Sequence, residues 1–91
     1  MNGKHYIVEV KPKSGTGYNP LHDEVDGCEA VILEAKSGGI GWFSYKFEDY
    51  MYYGWHTMHT SLINGVDEHD GVVTIETRNS VYTFEEIKNN A

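Results

Sequence analysis

The chain has one cysteine, Cys28, so no internal disulfide can form and the fold must hold by burial and hydrogen bonding alone. That scarcity points to a reducing compartment, and the expected location is the cytoplasm. Prolines are few, at Pro12 and Pro20, which leaves most of the chain able to donate to a sheet ladder. No apolar run approaches the roughly 20 residues that a membrane-spanning helix needs, so no membrane partner is expected. The N-terminus lacks the basic and then apolar layout of a secretory signal. Basic residues are also scarce, with seven Lys and Arg against 14 Asp and Glu, for a net charge of -7. Phosphate attraction supplies most non-specific nucleic-acid affinity, so direct DNA or RNA binding is not expected. An acidic surface fits a basic protein partner instead, including one whose own surface binds nucleic acid. It also serves the plainer purpose of keeping a small protein soluble.

Motifs for chemistry are missing as well. A structural zinc site needs four nitrogen or sulfur ligands at characteristic spacing, which His5, His22, His56, His59, His69 and Cys28 do not provide. His56-x-x-His59 on a strand sends its two rings to opposite faces. Asp26 and Glu29 flank Cys28 and raise its pKa, making a poor nucleophile. Ser37-Gly38-Gly39-Ile40-Gly41 has neither the lysine nor the spacing of a phosphate loop. No serine sits in a nucleophile-elbow setting. We expect no enzyme activity, no catalytic residue, no metal and no cofactor.

What is abundant is aromatic and turn-forming. Seven tyrosines, two tryptophans, three phenylalanines and ten glycines in 91 residues suit one small β domain spanning residues 1–91. Ser61 to Ile87 reads as three antiparallel strands. A turn at Arg78-Asn79, with Asn79 supplying positive φ, sets Val73 beside Phe84, Ile75 beside Tyr82 and Thr77 beside Ser80. A second turn at Asp70-Gly71 sets Val66 beside Ile75 and Asn64 beside Thr77. Gly3 to Lys11 alternates with Tyr6, Val8 and Val10 inward, giving a first strand. Pro12 to Gly17 is loop by composition. Asn19-Pro20 followed by Asp23 and Glu24 predicts a short helical turn over 20–26. A strand over 28–36, apolar on both faces, follows. Gly41 to Glu48 predicts a strand with Phe43, Tyr45 and Phe47 inward. Asp49 to Thr60 reads either as a strand bent at Gly54 or as a loop across the barrel end. Lys88 to Ala91 is a polar tail. The predicted fold is mainly β, a small antiparallel meander closing as an SH3-like or Sm-like barrel or a strongly bent sheet, with at most one short helix near 20–26.

Two groups of residues are candidate sites. Twelve aromatics exceed what a small barrel hides, so part of the segment Tyr50, Tyr52, Tyr53 and Trp55, with Met51 and Met58, should be exposed. Such residues anchor protein interfaces. Asn64, Thr77 and Ser80 form a polar cluster at one end of the core face, which either closes the barrel or lines a small-molecule pocket.

Residues 71–85, GVVTIETRNSVYTFE, resemble the T-x-N-S-x-Y strand pair of small phage and prophage proteins. Thr60-Ser61-Leu62-Ile63 resembles the T-S-x-I strand that precedes that pair. The resemblance covers about the last third of the chain and carries over no catalytic residue. It implies a phage setting, in which small acidic proteins bind host proteins, anti-CRISPR and other counter-defence inhibitors among them. The expected function is a non-enzymatic inhibitor that contacts a host or bacterial protein. Asp23, Glu24, Asp26 and Glu29 would supply charge, and Tyr52, Tyr53 and Trp55 would supply anchors. The alternatives are a nucleotide or metabolite binder, with Asn64, Thr77 and Ser80 in a pocket that a homo-oligomer could complete, and a purely structural interaction domain.

Overall fold

Alternation decides most of this architecture. The computed structural model describes residues 3–13, 20–49 and 52–88. The Asn19 cap, the loop residues 14–17, Tyr50, Met51, the side chains of Tyr52 and Tyr53, and the tail residues 89–91 lie outside that description. Strand β1 (Tyr6–Pro12) buries Tyr6, Val8 and Val10 while His5, Ile7 and Glu9 face out. The short helix α1 (Pro20–Val25) is followed by β2 (Glu29–Glu34), β3 (Ile40–Asp49), β4 (Tyr52–His69), β5 (Val72–Thr77) and β6 (Ser80–Glu86). Each strand pairs antiparallel with the next, and β1 pairs with β6 to close a six-stranded barrel. Its interior is filled from every strand, including Tyr6, Ile32, Phe43, Ile63, Ile75 and Phe84, none more than 2% exposed. Burying such a side chain contributes about 1.5–3 kcal/mol.

The seam between β1 and β2 is narrow, with only Tyr6↔Ala30 and Ile7↔Glu29 in register. The chain between α1 and β2 completes it. The Val8 N–H donates to the Cys28 carbonyl (3.0 Å), the Gly27 N–H to the Val8 carbonyl (2.7 Å) and the Val10 N–H to Asp26 Oδ1 (2.9 Å). Helix α1 lies against β1 and β3 and buries Val25 in the core.

The β5–β6 register matches the sequence reading, with Val73↔Phe84 and Ile75↔Tyr82. Asp70 and Gly71 form the β4–β5 turn with φ of 51° and 79°, both positive as a type I′ turn requires. Val66↔Ile75 also holds. Three expectations need correction. A bulge between Ile63 and Gly65 puts Ile63, not Asn64, opposite Thr77 and leaves Asn64 exposed. The extra residue is placed outward, so the apolar side chain takes the core position. Asn79 does not have positive φ. The Thr77 hydroxyl closes that turn instead, accepting from the N–H groups of Asn79 (3.3 Å) and Ser80 (3.0 Å). The strand expected over 28–36 is shorter, Glu29–Glu34, and although it is apolar on both faces only Ala30 and Ile32 are buried, since alternation turns Val31 and Leu33 to the outside and leaves Leu33 52% exposed.

Residues 52–60, open at the sequence level, are strand. Gly54 has φ 153°, a conformation that other residues rarely adopt, and the strand runs through it for 18 residues. Gly41 meets a different demand. A Cβ there would stand 2.9 Å from Ile63 Cδ1, at the point where the β3–β4 register shifts between Ile40 and Trp42.

Candidate functional site

Outward residues of β2 and β4 meet around His5, the residue just before β1. His5 Nδ1 lies 2.5 Å from Glu29 Oε2, and its ring meets the Trp55 ring edge-on at 5.9 Å between centroids. A carboxylate only accepts, so Nδ1 carries the proton in that bond. Trp55 is 47% exposed, held on the outside of the barrel across from Lys46. Beside this trio lies an open hollow of about 510 Å³ lined by Gly3, Lys4, His5, Glu29, Glu86 and Ile87. Lys4 Nζ approaches Glu86 Oε1 at 3.6 Å, so the hollow has a lysine–carboxylate pair and the His5–Glu29 pair on its walls. Both pairs are partly solvated, so each is worth at most about 1 kcal/mol to the fold. Such a surface offers charge of both signs beside an aromatic face and an exposed Ile87.

The expected protein-binding residues therefore divide. Glu29 and Trp55 are brought together, with His5 between them. Asp23 is exposed on α1. Glu24, also on α1, accepts a hydrogen bond from the Tyr45 hydroxyl and ties the helix to β3. Burial first, and then this bond and the Glu24 charge, push the Tyr45 pKa well above its ordinary value. Asp26 caps the Val10 N–H, so its carboxylate serves the barrel seam. Tyr52 and Tyr53 contribute backbone to β4 opposite Asp49 and Glu48.

Cys28 is half-buried, and its thiol donates to the Glu24 carbonyl at 3.1 Å. Its pKa is raised, as the sequence suggested, but burial is the main cause, followed by Glu24 and Asp26 rather than Glu29. His56 and His59 do face opposite ways. His56 stacks on Tyr45 at 5.8 Å, and His59 meets Trp42 on the outer face at 5.2 Å.

The polar cluster turns inward on itself. Thr77 and Ser80 are fully buried, and the Thr77 hydroxyl donates to the Ser80 carbonyl at 3.0 Å. Ser80 Oγ lies 3.3 Å from His22 Nε2, which links α1 to the β5–β6 turn. Asn64 takes no part, being turned outward by the bulge.

Among the described residues, no helix is long and apolar enough to cross a membrane, and no group of three or more His, Cys, Asp or Glu is gathered as a metal site. No protein-family model matches the chain, and no curated protein or solved structure matches it significantly. The sequence reading missed His5, Lys4, Glu86 and Ile87. The outward phase of His5 is legible from its place before Tyr6, Val8 and Val10. Its partners are not, because Glu29 and Trp55 lie on two other strands.

Proposed function

We propose that this protein is a non-enzymatic binding protein that inhibits another protein by direct contact, through the aromatic surface of mixed charge around Glu29, His5 and Trp55. The observation that carries the reading is Trp55 itself. A tryptophan 47% exposed, oriented by a neighbouring ring, has the placement of an interface anchor. The net charge of -7 favours a partner with a basic face, and a nucleic-acid-binding protein presents one. The resemblance of residues 71–85 to phage and prophage proteins gives that partner its context, a host defence protein in the cytoplasm. Asp23 on α1 adds charge at the rim, where it affects association rate more than residence time. The small-ligand reading has less behind it, since Thr77 and Ser80 spend their hydroxyls on the barrel end.

Immobilised protein exposed to bacterial host lysate at low and high salt tests the reading. The expected result is specific retention of one protein, with slower association and weaker capture as salt screens the charge. Retention of no specific protein at either salt would contradict it.

A further inference from the structure

Strand β4 is longer than its partners. Residues 52–62 pair with β3, and residues from Ile63 to His69 pair with β5. Among the described residues, no strand pairs with 52–61 on the side away from β3. Every second residue there presents an N–H and a C=O outward, which makes a template for another strand.

The other short edges that no described strand covers carry charged residues. Residues 31–34 of β2 include Glu34, the edge of β3 beyond Tyr45 begins with Lys46, and residues 65–69 of β4 include Asp67 and Glu68. The free side of β1 carries Glu9, Lys11 and Pro12 and is partly covered by residues 26–28. The edge at 52–61 is the exception. From 50 to 66 the chain contains no Asp, Glu, Lys or Arg, although the whole chain has 21 such residues (14 acidic plus 7 basic). Pro is absent from that stretch as well, and the usual devices against edge pairing are therefore missing.

We propose that this edge pairs with its own copy, β4 to β4 and antiparallel, so that two barrels share one continuous sheet about a two-fold axis. The charge pattern selects a second copy over a different partner. At a two-fold axis each side chain near the centre meets its own kind, so in a -7 chain a charge-free segment is the one that can lie at the axis without repulsion. A foreign partner drawn to an acidic protein would instead leave complementary charge along the edge. An axis at Thr57, the midpoint of 53–61, sets Trp55 opposite the partner's His59 on the outer face. Pairing over those residues forms roughly nine backbone hydrogen bonds, the number typical of a whole interface.

Light scattering after size exclusion, over a range of concentrations, reads the state directly. The wild-type protein is expected at twice the 10.3 kDa chain mass at high concentration, dissociating on dilution. Thr57→Lys places two ammonium groups together at the axis and should give monomer with an unchanged circular dichroism spectrum. Thr74→Lys, the same change on β5, should leave the dimer intact. If Thr57→Lys does not fold, concentration-dependent amide exchange in the wild-type protein decides, with alternate amides of 53–61 slowing as the protein is concentrated. A wild-type monomer at every concentration, or a dimer that survives Thr57→Lys, overturns the proposal. Exchange slowing confined to other strands does the same. Thr57→Lys leaves Trp55 in place, so self-association and capture of a foreign protein can fail independently.

Discussion

At the scale of single residues, Thr77 does more than its side-chain class implies. Its hydroxyl accepts from two backbone N–H groups and donates to one carbonyl, all within the β5–β6 turn. Thr77→Val keeps the shape and removes the acceptor, leaving the buried Ser80 N–H unsatisfied. The expected cost is about 1–3 kcal/mol in a urea melt, and an unchanged midpoint would contradict the role given to this hydroxyl. The tyrosines give a pH signature. Burial raises the pKa of Tyr6, Tyr45 and Tyr82 above 10.0, helped at Tyr45 by the bond to Glu24. The unfolded chain releases these protons near pH 10, while the folded chain keeps them. The unfolded state then binds fewer protons, so stability is intact below about pH 10 and falls as pH rises above it. Absorbance at 295 nm followed beside circular dichroism should show part of the tyrosine ionisation coinciding with cooperative unfolding. Smooth ionisation of all seven tyrosines with the dichroism intact would refute this.

At the scale of elements, the β5–β6 register makes two faces distinguishable. Ile75 is 1% exposed opposite Tyr82, while Thr74 is half-buried opposite Thr83. Ile75→Ala should cost about 2–5 kcal/mol through lost burial and the cavity left behind. Thr74→Ala should change stability by well under ~1 kcal/mol. Equal losses in urea melts would mean that both faces are buried. This hairpin was legible because strict alternation in both strands sets the register within a few residues of the Arg78-Asn79 turn. Strand β4 was legible only in part. The aromatic run before Gly54 fits a strand or a loop equally well, and nothing local announces the bulge that exchanges Asn64 for Ile63. The helical turn over 20–26 followed from its cap chemistry, but the capping of Val10 by Asp26 depends on how β1 and β2 meet. The site around His5 was hidden for the same reason. Glu29 and Trp55 could be named as candidates separately, and only barrel closure places one histidine between them.

At the scale of the whole molecule, closure of the barrel consumes most of the chain's apolar surface and leaves an acidic exterior with a few exposed rings, Trp42 and Trp55 among them. In the contact proposed above, the surplus of carboxylates would set the range and sign of attraction, and the exposed ring would set how long a partner stays. Two of the four expected carboxylates, Glu24 and Asp26, are tied to the fold, so substituting them mixes stability with binding. Trp55 touches the barrel only from outside and gives the cleaner probe. Truncating a buried interface anchor to alanine costs about 2 kcal/mol or more, which is about thirtyfold in affinity. The decisive measurement is capture from host lysate by wild-type, Trp55→Ala and Thr74→Ala proteins, each shown to be folded, with retained proteins quantified by mass spectrometry. One protein should be retained by the wild type and by Thr74→Ala and lost with Trp55→Ala. Equal retention by all three would contradict the assignment of this surface as the site of contact.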